Sequence, residues 1–91
     1  MAFARMFNNP NVKQEQYDEM VTKLGVNDNP PHGAIVHIAG AAADGVWRVI
    51  EVWESEQDAA AWDAILEPQL EAAGMKRPAP ETWQVHNLIQ A

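Results

Sequence analysis

Apolar residues recur at every second position in some stretches of this chain and at helical spacing in others, so the pattern divides it into elements. Phe3 to Phe7, FARMF, reads as a first strand, and Asn8-Asn9-Pro10-Asn11 breaks it. Asn11-x-x-Gln14 offers a helix cap. Tyr17, Met20, Val21 and Leu24 then share one face of a helix that Gly25 ends, while Lys13, Glu15, Asp18, Glu19 and Lys23 form a solvated outer face. Val26 to Gly33, with its Asn-Asp-Asn-Pro-Pro-His-Gly, carries loop chemistry. Ala34 to Gly40 predicts a second strand, and Asp44-Gly45 a hairpin turn into a third.

The third strand is the start of the most ordered pattern in the chain. Val46, Trp47, Val49, Ile50, Val52 and Trp53 have high β-propensity, and at Ser55 the period changes from 2 to 3.6. Ser55-x-x-Asp58 is an N-cap signature, with Asp58 in the positive first turn. Ala59, Trp62, Ile65, Leu66, Leu70 and Ala73 predict the apolar stripe of a second helix, and Gly74 suits the position after its end. Pro68 lies inside that helix, removes the N–H bond to the Ala64 carbonyl, and is expected to bend or interrupt it. Pro78 and Pro80 exclude regular structure from Met75 to Glu81, and Thr82 to Ile89 predicts a final strand.

The resulting order is β-α-β-β-α-β, an α+β chain of the ferredoxin-like type with a four-stranded antiparallel sheet and two helices on one face. Right-handed crossovers give the strand order 4-1-3-2. The second strand is apolar on both faces, with Ala34, Val36 and Ile38 expected on one and Ile35 and Ala39 on the other. The third likewise sets Ile50 and Val52 against Val49 and Trp53. Two helices cover one face of such a sheet, so a second copy of the chain is expected to cover the other.

Ninety-one residues make one domain, 1–91, and the absence of cysteine removes disulfides and thiolate chemistry and fits a reducing, cytoplasmic setting. A formal net charge of −7 argues against binding a phosphate backbone, so no nucleic-acid partner is expected. No apolar run approaches the ~18 residues of a membrane span, and FARMF after Met1 is no secretory signal core, so no membrane partner is expected either.

Polar residues inside the strands carry the candidate chemistry. His37 interrupts the second strand, Glu51 the third, and His86 with Asn87 the fourth. Glu51 shares a face with Val49 and Trp53, and a buried carboxylate needs a partner; His37 on the neighbouring strand is the candidate. A His–Glu pair serves either as a general acid/base or as two polar groups satisfying each other in a core. Glu51, His37 and His86 are therefore the candidate catalytic residues. Trp53, Trp62 and Asn87 are the candidate ligand-binding residues, the two indoles serving either as core or as the wall of an aromatic-lined pocket. Trp47 and Trp83, near strand starts, are candidates for a seam between two copies. His32 belongs to the exposed loop.

A metal site built from His37, Glu51 and His86 is not expected: strands two and four would be opposite edges, ~14 Å apart at ~4.8 Å per strand spacing. Phosphate loops, nucleophile elbows and zinc-binding helices are absent, and flavin or nicotinamide needs a larger fold, so no cofactor is expected.

The run Val52-Trp53-Glu54-Ser55, followed by Trp62 on the helix, resembles the antibiotic-biosynthesis-monooxygenase-like proteins of the dimeric α+β barrel superfamily, and Val85-His86-Asn87 is similar to the ending of small bacterial members. The resemblance spans nearly the whole chain in element order, but its specific motif is short. It implies a homodimer with a pocket between sheet and helices in each protomer. Members of the family include cofactor-free oxygenases of aromatic substrates and haem-degrading enzymes. Trp62 matches the tryptophan of the haem-degrading branch, yet Asp63 to Ala73 holds no histidine for an axial ligand, and Asn8 and Asn9 fall at the end of the first strand. Two functions follow as expectations: a cofactor-independent monooxygenase or acid/base enzyme acting on an aromatic or polyketide-like compound, or a non-catalytic dimeric module binding a hydrophobic small molecule.

Overall fold

A computed structural model describes residues 1–91 as β1 (Phe3–Asn9), α1 (Gln14–Leu24), β2 (Ala34–Ala41), β3 (Trp47–Trp53), α2 (Glu56–Ala72) and β4 (Glu81–Gln84). The four strands form one antiparallel sheet in the order β2-β3-β1-β4, the order that right-handed crossovers require. The chain is thus α+β with the ferredoxin-like arrangement. No helix is long and apolar enough to cross a membrane.

Registers assign the two faces. Phe3, Arg5, Phe7 and Asn9 of β1 lie opposite Trp53, Glu51, Val49 and Trp47 of β3, and these positions face the helices. Ala4, Met6, Ile50, Val52, Val36 and Ile38 face the other way, joined by Trp83 from β4. A register shift between Ala34 and Val36 corrects the expected faces of β2: Ala34 pairs with Trp53 and lies on the helix side, whereas Val36 pairs with Val52 on the open side. That extra residue is also what aligns His37 with Glu51.

Local chemistry explains the element ends. α1 begins two residues later than the Asn11 cap implied: the Lys13 N–H donates to the Gln16 side chain at 2.8 Å, and Gly25 closes the helix at φ 66°. Ser55 caps α2 as expected, its hydroxyl accepting from Asp58 N at 3.1 Å. The helix runs unbroken through Pro68, so the proline does not interrupt it. The stripe narrows instead: Ala59 and Leu70 are buried, Trp62 and Leu66 are half-buried, and Ile65 and Ala73 turn to solvent. Gly33 is held at φ 82° beside Asp58, where a Cβ would run into the carboxylate, and its carbonyl accepts from Glu54 N at 2.8 Å. That contact pins the loop before β2 to the β3–α2 corner.

β4 is shorter than expected. It ends at Gln84, and the backbone is irregular from Val85 onward, so His86 and Asn87 are not strand residues.

Candidate functional site

Two apolar clusters sit on the helix side of the sheet. Phe3, Trp53 and Ala59 form one, with Trp62 packed on it, and Phe7, Trp47 and Val49 form the other, with Tyr17 packed on it. Between them runs a polar row, Arg5 on β1, Glu51 on β3 and His37 on β2, in cross-strand register. Above the row, α1 and α2 stand off the sheet around a cavity of about 430 Å³, whose walls include Tyr17, Trp47, Trp53, Trp62, Leu66 and Leu70. Glu51 and His37 are also in its wall. That volume falls within the range of small-molecule pockets.

Glu51 is 3 % exposed, and its partners are unevenly divided between its two oxygens. Oε1 accepts from Arg5 Nε at 3.0 Å, Arg5 Nη2 at 2.7 Å and Trp53 Nε1 at 3.0 Å. Oε2 has the His37 Nδ1 at 3.7 Å, beyond a direct hydrogen bond. The expectation that His37 is the principal partner of Glu51 is corrected here: the guanidinium of Arg5 is. A buried carboxylate is best held by a planar, charge-assisted donor pair, which the guanidinium supplies and a neutral imidazole does not.

The network extends to the helix. Arg5 Nη1 donates to Asp63 Oδ2 at 2.6 Å, and Asp63 Oδ1 accepts from Arg77 Nη2 at 2.7 Å. The Arg77 guanidinium lies 4.2 Å from the Phe7 ring centroid, so the irregular segment after α2 is tied back over the sheet. Burial alone would lower the Arg5 pKa, but Asp63 and Glu51 together more than offset it and raise it. Burial likewise works to raise Asp63, and the hydrogen bonds and charges of Arg5 and Arg77 outweigh it, holding the carboxyl below its ordinary value.

At the other end, the Tyr17 hydroxyl meets His37 Nε2 at 2.7 Å, with the two rings stacked at 6.1 Å. Partial burial lowers the His37 pKa, and the nearby Glu51 charge offsets part of that. Burial raises the Tyr17 pKa, with the charges of Asp18 and Glu51 adding to it. At neutral pH the ring is therefore uncharged and the phenol protonated; in the tautomer that points Nδ1–H at the Glu51 carboxylate, the Tyr17 O–H donates to Nε2. The arrangement can accept a proton at His37 and stabilise the resulting charge through Glu51.

The structure brings together Glu51, His37, Trp53 and Trp62 around one cavity. His86 and Asn87 are exposed beyond β4 and outside that wall. Trp47 is also placed differently from expectation: it is buried on the helix side against Tyr17, at 5.2 Å between ring centroids, while Trp83 does lie on the open face. His32 is a surface side chain 3.8 Å from Asp58. Arg5, Tyr17, Asp63 and Arg77 were missed by the sequence reading. For Arg5 a signal existed: a lone charge between Phe3 and Phe7 at alternating strand positions must face the same side as both. No group of three or more His, Cys, Asp or Glu side chains is placed to hold a metal ion. No protein-family model matches this chain, and no curated protein matches it significantly.

Proposed function

We propose that this chain is an antibiotic-biosynthesis-monooxygenase-like homodimer that binds an aromatic or polyketide-like small molecule in the cavity under α1 and α2. There it carries out proton transfer, as an acid/base enzyme or as the first step of a cofactor-independent oxygenation. The observation that carries this reading is the Tyr17–His37–Glu51 line in the wall of a mostly apolar cavity. His37 is the base, Glu51 orients and charge-stabilises it, and Arg5 holds Glu51. Trp53 and Trp62 supply flat surfaces for an aromatic ring.

The open face of the sheet supports the dimer. Ile38 is 55 % exposed and Trp83 45 % exposed, with Met6, Ile50 and Val36 on the same side, and a second copy is the economical cover. A non-catalytic binding module is the second reading. The 3.7 Å separation of His37 from Glu51 favours it, because an orienting carboxylate normally sits within hydrogen-bond reach.

Titration with a hydroxylated polycyclic aromatic, followed by tryptophan fluorescence and amide shifts, tests the site. Perturbation of Trp53, Trp62 and His37, weakened by Trp62→Ala, is expected; shifts confined to the open sheet face reject it. Oxygen uptake or proton exchange at the bound compound, lost in His37→Gln, separates enzyme from binding module.

A further inference from the structure

The two oxygens of Glu51 have very different surroundings. Oε1 accepts from Arg5 Nε, Arg5 Nη2 and Trp53 Nε1, which uses up its acceptor capacity. Oε2 accepts no hydrogen bond, and the His37 Nδ1 at 3.7 Å is beyond the reach of one. Trp47 Nε1 is the single fully sealed side-chain nitrogen or oxygen that lacks a partner. Oε2 lacks one too, so it is not sealed and keeps some open surface. Glu51 is 3 % exposed and stands in the cavity wall, so that surface opens into the cavity. The other charged side chains of the wall are Lys76, which is solvent-exposed, and Arg77, which Asp63 engages at 2.7 Å.

We infer that Glu51 Oε2 is the anchoring acceptor of the cavity, and that the ligand presents a phenol or enol hydroxyl that donates to it. This rests on the proposed ligand-binding role of the cavity and names the group the ligand must carry and the atom that holds it. A carboxylate oxygen taken out of bulk water is costly until a donor reaches it, and a hydrogen bond to a charged acceptor is stronger than a neutral one. A compound of the same shape without the donor leaves Oε2 unpaired and dehydrated, so the site rejects it. Trp53, whose indole N–H already fixes Oε1, and Trp62 stand in the same wall, where they can flank the ring that carries the hydroxyl.

The test compares 2-naphthol with 2-methylnaphthalene, which has no polar group, and 2-acetylnaphthalene, which only accepts. Each is titrated against the full chain at neutral pH by tryptophan fluorescence and calorimetry. Naphthol is expected to bind at least about tenfold more tightly than either, a difference of about 1.4 kcal/mol. Either analogue binding as tightly as naphthol overturns the inference and leaves the binding role intact. Binding of none of the three removes the binding role and the inference with it. Glu51→Gln tests the atom. Three donors converge on Oε1, so the amide oxygen keeps that place and the NH2 takes the place of Oε2, turning an acceptor into a donor. The naphthol-to-acetylnaphthalene affinity ratio is expected to fall about tenfold or more, with the amide spectrum reporting the fold. An unchanged ratio in a folded variant overturns the assignment to Glu51. Should that variant not fold, nuclear Overhauser contacts in the parent chain decide. The naphthol protons flanking the hydroxyl are expected against the His37 ring and the Trp53 indole; contacts that put the hydroxyl edge at Lys76 overturn the inference.

Discussion

Arg5 and Glu51 face each other across β1 and β3 in register, and their side chains meet at 2.7 Å with residue exposures of 4 % and 3 %. A charge pair at this depth is tolerated because each member satisfies the other, and the excess donors of the guanidinium go to Asp63. Removing one partner leaves the other buried and uncompensated. Arg5→Met is expected to lower unfolding stability by about 3–5 kcal/mol, a large share of what a small domain has. Glu51→Gln keeps an acceptor for Arg5 and should cost about 1–3 kcal/mol. Urea denaturation of the two variants checks the order; equal losses would show that the pair is not the anchor of the sheet.

Acid should weaken the fold in two stages. His37 has its pKa lowered in the folded state, so its contribution is present above the unfolded value of 6.5 and is lost as pH falls through the lower folded value. Asp63 is also lowered, so its contribution is present above 3.8 and is lost below that. Tyr17 has the opposite sign: its raised pKa gives stability that is present below 10.0 and lost as pH rises through the folded value. Urea midpoints measured across pH should therefore fall first below 6.5 and again below 3.8. His37→Gln should remove the first fall and Asp63→Asn the second. A flat profile through both windows in the parent chain contradicts the assignment.

Element order was legible in the sequence because it rests on periodicity and caps, which are local. Ser55 capping α2 and Gly25 closing α1 needed no tertiary information. The site was legible only in part. Glu51 demanded a partner, and His37 was its sequence neighbour across a hairpin, yet Arg5 lies on a strand 46 residues away. Side-chain alternation put Arg5 on one face with Phe3 and Phe7, but only the β1–β3 register sets it opposite Glu51. The β2 register shift and the early end of β4 were hidden for the same reason. Strand length and bulges depend on what neighbouring strands pair with, which is why His86 and Asn87 read as strand residues and are not.

Gly33 offers a test of the corner. At φ 82° and with Asp58 against it, the position admits no side chain without displacement. Gly33→Ala should cost about 1–2 kcal/mol for the backbone conformation alone, with a further loss from the clash. Gly33→Ala with Asp58→Ala should relieve only part of the clash, because the Asp58 Cβ itself lies 2.6 Å from the added methyl, and should retain the backbone loss. A single variant as stable as the parent shows that the loop can move away from α2.

The open sheet face should govern assembly. If a second copy covers Ile38 and Trp83, Ile38→Lys places an uncompensated charge in the seam and should yield monomers at micromolar concentration, while the parent chain scatters as a dimer. Ile65, 58 % exposed on the outer side of α2, is the control: Ile65→Lys should leave the mass unchanged. A parent chain that scatters as a monomer removes the dimer.

The pH dependence of turnover connects His37 to Glu51 most directly. As a base, His37 must be unprotonated, so kcat/KM for an aromatic substrate should climb with pH to a plateau. The midpoint is the His37 pKa in the free protein, which burial sets below 6.5. Glu51 is the group that works against that lowering, through its charge. Glu51→Gln removes the charge and keeps the shape, so the His37 pKa should fall further and the rising limb should move to more acidic pH. The plateau should fall as well, because the imidazolium formed during proton transfer loses its stabilising carboxylate. Titration of the His37 ring by NMR gives the same midpoint without a substrate. Tyr17→Phe should leave that Glu51 effect in place. A His37 midpoint that does not move in Glu51→Gln, or that moves toward alkaline pH, would disconnect the two residues and leave His37 without an orienting partner.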